Sequence, residues 1–279
     1  LIKHILVCTD GSPYAVMAAR AAAELARLFQ AEITLLACYD MTAATIPFAN
    51  PADPMPQLGV SMDMAFATIE GATRPAAEAL DALGVRYTKR HAFGPIPSTI
   101  VDTAQELGVD LIVLGGHGAT RLESALLGSV CNGVTLHAHC PVLVVHSDTL
   151  GLKRVMAAAD GSECSLKALD VAARLVHAAQ GELEVVTVVP EHGTDAGTQL
   201  VDDALVQRIR HVAERAGTEY TLYQETGQRA EAITARANAN LAGLLVIGSR
   251  GHGALHNLPL GSTSSYVVHH VHGSVLIVR

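Results

Sequence analysis

The sequence predicts an α/β chain of two tandem, doubly wound domains, each built on a five-stranded parallel sheet. Three observations carry that expectation. Ile5-Leu6-Val7-Cys8-Thr9-Asp10-Gly11-Ser12 returns 150 positions later as Val155-Met156-Ala157-Ala158-Ala159-Asp160-Gly161-Ser162. Gly115-Gly116-His117-Gly118 returns as Gly248-Ser249-Arg250-Gly251, now 133 positions on. Between these anchors, apolar runs of strand length alternate with segments of helical period, the pattern of parallel strands joined by crossover helices.

In the first copy, strands are expected at Lys3 to Thr9, Glu32 to Tyr39, Arg86 to Phe93, Asp110 to Gly115 and Val142 to His146. Ser12 is placed to cap the first helix with Pro13 at its first position. Met17, Ala21, Leu25 and Leu28 then share an apolar face, while Arg20, Glu24 and Arg27 share a polar one. The copy of this helix starts at Ser162 and uses Leu169, Ala172, Ala173 and Val176. The offset falls from 150, where Glu32 matches Glu182, to 133, where Gly94 matches Gly227. The first copy therefore carries an insertion, expected as an extended surface loop over Met41 to Met62, where Pro47, Pro51, Pro54 and Pro56 cluster. The domains run 1–148 and 149–279, with the junction near Ser147 to Leu152.

The chain is 49% hydrophobic and 16% charged, which suits a buried core and excludes disorder. Its apolar content is mainly Ala, Val, Leu and Ile, as parallel sheets covered by small-residue helices require. No apolar run approaches the length of a membrane span and no leader pattern opens the chain, so the expected location is cytoplasmic with no membrane partner. A formal net charge of -8 offers no footprint for a nucleic-acid backbone. Any phosphate is then expected to be held by backbone groups rather than surface cations. The five cysteines form no CxxC pair and read as small hydrophobes. His269, His270 and His272 lack the partners of a metal set and read as surface or interface residues.

Open α/β sheets bind ligands at the carboxyl ends of their strands. After strand one stands Asp-Gly-Ser, so the dinucleotide fingerprint GxGxxG is missing from its place, and GxxxxGK[ST] is missing throughout. After strand four, both copies show the same spacing: Gly115-x2-Gly118-x9-Gly128-Ser129 and Gly248-x2-Gly251-x9-Gly261-Ser262. Glycines there allow close backbone approach to an anion, and the second cluster opens a helix whose free N–H groups favour phosphate. Recurrence in the same strand, loop and helix context raises this above a generic glycine-rich loop.

On these residues, together with the ending Cys140-Pro141-Val142-Leu143-Val144-Val145, the chain resembles the universal stress protein family in its tandem, ATP-binding form. The resemblance implies an adenine nucleotide alpha hydrolase-like fold and a bound adenine nucleotide, ATP with or without Mg. It implies that Asp10 and Asp160 face the adenosine part, with Cys38 and Val188 beside the base. The phosphates would lie against Gly115, His117, Gly118, Gly128, Ser129, Val130 and Cys131 in the first copy. In the second they would lie against Gly248, Arg250, Gly251, Gly261, Ser262, Thr263 and Ser264. Ser264 offers a hydroxyl where Cys131 offers a weak thiol donor, so the second site is expected to hold triphosphate at least as well. The valine-rich final strands, Val142 to Val145 and Val275 to Val278, are expected as sheet edges. The family implies association through that strand, so a tandem chain can form the equivalent pair internally, with a homodimer through these strands or through domain faces. No HExxH or GxSxG motif argues for strong catalysis. The expected role is a nucleotide-dependent regulatory or binding module; a slow ATPase and an AMP or cyclic-nucleotide binder are the alternatives.

Overall fold

The structure, a computed structural model, describes residues 2–40, 58–118, 127–189, 202–240, 242–252 and 260–279. The first repeat supplies strands β1 (His4–Cys8), β2 (Glu32–Tyr39), β3 (Tyr87–Phe93), β4 (Leu111–Gly115) and β5 (Val142–Val145). Its helices are α1 (Pro13–Phe29), α2 (Leu58–Ala82), α3 (Ile96–Leu107) and α4 (Ser129–His137). The second repeat supplies β6 (Arg154–Ala158), β7 (Glu182–Val189), β8 (Tyr220–Thr226), β9 (Leu244–Gly248) and β10 (Ser274–Val278). Its helices are α5 (Glu163–Ala179), α6 (Asp203–Arg215), α7 (Arg229–Ala239) and α8 (Ser262–His270).

The chain forms two compact units. The described part of the first is 2–40, 58–118 and Gly128–Ala138; the second holds Leu127 and the described residues of His139–Arg279, and with them β5. In the first unit β1 pairs in parallel with β2 and β4, and β2 with β3. Helices α1 and α2 pack together, as do α3 and α4, so the sheet is covered in the doubly wound manner. The second unit repeats this: β6 lies between β7 and β9, β8 follows β7, α5 packs with α6 and α7 with α8.

One departure from a wholly parallel sheet lies at the final strands. β10 pairs in parallel with β9 on one side and antiparallel with β5 on the other, with Leu276 opposite Leu143. The two valine-rich final strands thus pair within the chain, as the tandem form leads one to expect, and the Val275 to Val278 run is paired on both sides rather than left as an edge. Its backbone groups find partners within the chain, which removes the exposed template that an edge presents.

The helix starts follow from the sequence. Ser12 Oγ accepts from the Ala15 N–H at 3.2 Å, and Ser162 Oγ from the Ser165 N–H at 3.3 Å. Arg20, Glu24 and Arg27 are exposed, whereas Leu169, Ala172, Ala173 and Val176 are buried. Both helices end on a glutamine in the left-handed region, Gln30 at φ 55° and Gln180 at φ 50°.

The insertion differs from its expected form. A β-carbon on Gly11 would meet Ala72 Cα at 3.0 Å, and one on Gly161 would meet Leu205 Cδ1 at 3.2 Å. Ala72 and Leu205 are 133 apart, so the change of register is complete before this point of α2. Helix α2 spans 25 residues and α6 only 13, and residues 58–62 belong to α2 rather than to a loop. The proline cluster ends at Pro56, and Leu58, Met62, Met64 and Ala65 are good helix formers, with the next proline, Pro75, inside the helix. The rest of the expected loop, 41–57, lies outside the described residues.

Candidate functional site

In the second unit the chain leaves β6 toward α5 and the neighbouring β9 toward α8, which opens a crevice at the carboxyl ends of these strands. Asp160 follows β6 there. Gly161, at φ +83°, takes a left-handed conformation that disfavours a side chain and turns the chain into α5. Asp160 Oδ1 accepts from the Ser162 N–H at 2.9 Å and from the Ser162 hydroxyl at 2.6 Å. Oδ2 accepts from the His252 N–H at 3.0 Å, which ties the loop after β9 to the turn after β6. Burial pushes this carboxyl up, but the hydrogen bonds from Ser162, His252 and Ser165 outweigh it and hold Asp160 below the ordinary carboxylate value.

The three glycines after β9 have different physical roles. A β-carbon on Gly248 would lie 2.7 Å from the Cys164 carbonyl carbon, so this glycine lets the first turn of α5 seat against β9. A β-carbon on Gly251 would lie 2.5 Å from Asp160 Oδ2, so this one admits the carboxylate. Gly261 makes only ordinary contacts; its N–H donates to the Ser249 carbonyl at 2.8 Å as the chain enters α8. Sequence reasoning assigns all three to the approach of an anion. In the structure the first two also satisfy packing inside the protein.

The crevice is a cavity of about 280 Å³. Its apolar lining is Ala158, Ala159, Val186, Val188, Ile233 and Ile247, and its polar lining includes Asp160, Ser165, Arg229, Arg250, His252 and the first turn of α8. All the second-repeat residues singled out from sequence line it: Asp160, Val188, Gly248, Arg250, Gly251, Gly261, Ser262, Thr263 and Ser264. Ser264 departs from its expected role. Its hydroxyl is buried and donates to the Gly248 carbonyl at 2.7 Å, so its proton fixes the loop and is not offered to a ligand.

The first repeat places its residues on the same plan. Asp10 Oδ1 accepts from the Ser12 N–H at 2.9 Å, and a β-carbon on Gly118 would lie 2.9 Å from Asp10 Oδ2. Gly115 admits the first turn of α1, 2.7 Å from the Tyr14 carbonyl carbon, and the Gly128 N–H donates to the Gly116 carbonyl at 3.0 Å. His117 lies against Tyr14, with ring centroids 5.1 Å apart. Ser129 is exposed at the first position of α4, Val130 is half-buried and Cys131 is buried, its thiol pushed up by burial. Cys38, near the end of β2, is half-buried and pushed up to about 12 by the same cause.

Several lining residues escape a reading for motifs. Val186 shares a strand face with Val188, two residues away, and Ala158, Ala159 and Ile247 adjoin the motif residues, so strand periodicity reaches them. Arg229 and His252 carry no repeat signal, because Ile96 and Ala119 occupy the matching positions. Arg229 adds a second guanidinium to a site where sequence reasoning names only Arg250.

An open parallel sheet with Asp-Gly-Ser after its first strand and a glycine loop after its fourth, present in both repeats, defines a tandem α/β protein with a crevice at the carboxyl ends of its strands. The family model described as "Universal stress protein family" matches residues 1–146 and 151–279. The chain belongs to the universal stress protein family. It is 34% identical over 146 residues to universal stress protein MJ0531 of Methanocaldococcus jannaschii, covering 52% of this chain and 82% of that protein. It is 26% identical over 293 residues to universal stress protein Rv2623 of Mycobacterium tuberculosis, covering 99% of this chain and 96% of that one. A universal stress protein structure from Archaeoglobus fulgidus shares the fold, with a TM-score of 0.76 at 23% identity over 99% of this chain and 98% of that one.

Proposed function

We propose that the chain is an ATP-binding regulatory module of the stress-response type, whose nucleotide occupancy sets its shape or its choice of partner. The observation that carries this is the cavity of the second unit, whose lining brings together apolar side chains, a glycine loop, a helix N-terminus and the Asp160 carboxylate. A flat base suits the apolar wall. Oδ2 of Asp160 accepts one protein hydrogen bond and keeps a second lone pair for a ribose hydroxyl. The N–H groups at the start of α8 have no partners within the helix and point their positive dipole end at the cavity, which favours phosphate. With about 280 Å³ the cavity is near the lower end of small-molecule sites, roughly 300–1,000 Å³.

This reading makes the protein a binding module in the cytoplasm rather than a strong catalyst. No helix among the described residues is long and apolar enough to cross a membrane. Because β10 is paired on both sides within the chain, a homodimer would assemble through domain faces instead of that strand. Mass spectrometry of nucleotide carried through purification, followed by calorimetric titration with ATP, tests the proposal. An adenine nucleotide in the purified chain and saturable ATP binding support it; neither appearing, in folded protein, overturns it.

A further inference from the structure

The second repeat's cavity carries a concentration of basic side chains, two of them arginines, that the rest of the chain does not lead one to expect. The chain holds 19 Lys and Arg against 27 Asp and Glu, yet Arg229 at the start of α7, Arg250 in the glycine loop and His252 beside it all line this one cavity. Arg208 approaches the same rim: a β-carbon on Gly161 would lie 3.4 Å from Arg208 Nη1 and 3.6 Å from His252 Nε2. At the matching positions the first repeat has Ile96, His117, Ala119 and Pro75. The asymmetry is thus one of charge, not of the glycine loop, which both repeats share.

From the nucleotide-binding reading above, on which this rests, we infer that Arg229 is a specificity-determining residue that makes the second repeat select by phosphate number, favouring a nucleoside triphosphate over a monophosphate. The base wall and Asp160 contact parts that every adenine nucleotide has, so they bind all of them alike and cannot discriminate. The backbone donors of the glycine loop and α8 suit the first phosphate equally in each. Discrimination requires a group whose interaction grows with the negative charge of the phosphate chain, and a guanidinium supplies this through paired N–H donors. Arg229 enters from α7, a different element from the loop that holds Arg250, so a chain of phosphates can be met by cations from two elements.

Titration of the full chain with ATP and with AMP tests this, with amide exchange at Gly248 to His252 reporting occupancy of the second repeat. Arg229→Ile, which installs the residue of the first repeat, is expected to weaken ATP binding there about tenfold or more while changing AMP binding less than about twofold. Arg229→Lys should retain most of the preference, and Arg229→Ile should flatten the salt dependence of ATP binding but not that of AMP. Equal weakening of both ligands, or no change for ATP, overturns the assignment while leaving nucleotide binding intact. Absence of binding by either ligand to the folded wild-type chain instead overturns the nucleotide reading, and this inference with it.

Discussion

The carboxylate of Asp160 occupies the space that a side chain on Gly251 would need, with Oδ2 only 2.5 Å from the position of a β-carbon there. The adjacent His252 N–H donates to that same oxygen, so the loop after β9 is clamped onto the turn after β6. Gly118 and Asp10 repeat the relationship at 2.9 Å. Replacing Gly251 by Ala must push the loop off the carboxylate. The expected result, read by calorimetry, is a loss of ATP affinity at the second repeat of about tenfold or more, since a hydrogen bond to a charged group is worth about 1.5–3 kcal/mol. Unchanged affinity would show that the clamp does not shape the site.

Gly248 serves packing, so its substitution should act on stability before binding. Gly248→Ala places a β-carbon 2.7 Å from the backbone of α5. Overpacking of this kind costs roughly 1–3 kcal/mol, to be read from the midpoint of urea unfolding. Gly115→Ala should behave alike in the first repeat, where the obstruction is the Tyr14 backbone at the same distance. A variant as stable as the parent would contradict the seating role.

Asp160 predicts the direction of an acid dependence. Its folded-state value is depressed by hydrogen bonds that outweigh burial, while in the unfolded chain it titrates near the ordinary value, about 3.9. The stabilisation it contributes is complete above that ordinary value and is lost as pH falls through the lower folded value. Asp160→Asn should therefore narrow the stability gap to wild type as the buffer is acidified, measured by thermal unfolding from neutral pH to about pH 3. A gap that stays constant over that range would contradict the assignment.

Ser264 donates to the Gly248 carbonyl, and Cys131 stands at its place in the first repeat. Ser264→Ala should cost stability of about 1–3 kcal/mol by leaving a buried carbonyl unsatisfied. Its ATP affinity should change far less than in Gly251→Ala. A large selective loss of ATP binding, with stability unchanged, would return Ser264 to the ligand.

Much of this architecture is legible in the sequence because strand and helix periods are local. The limits of β2 match the expected ones, and the Ser12 and Ser162 caps form as the residue types require. The offset between repeats locates the insertion without coordinates. Pairing is not local: the contact of β10 with β5 joins residues more than a hundred positions apart, and it is legible only through the family resemblance, while its antiparallel register is not. The candidate site divides in the same way. Asp160 and the glycines announce themselves by recurrence, whereas Arg229 reaches the cavity from α7 and has no counterpart in the first repeat. The inward turn of Ser264 toward Gly248 is a choice of rotamer, which residue type and spacing do not specify.

The central claim is that the crevice between β6 and β9 holds an adenine nucleotide. Amide hydrogen exchange of the full chain, with and without saturating ATP, addresses it most directly. Slower exchange is predicted at Gly248 to His252, at the first turn of α8 from Ser262 to Ser264, and at the turn after Asp160. Saturable ATP binding that leaves all three segments unprotected, or protection confined to other surfaces, would contradict the account.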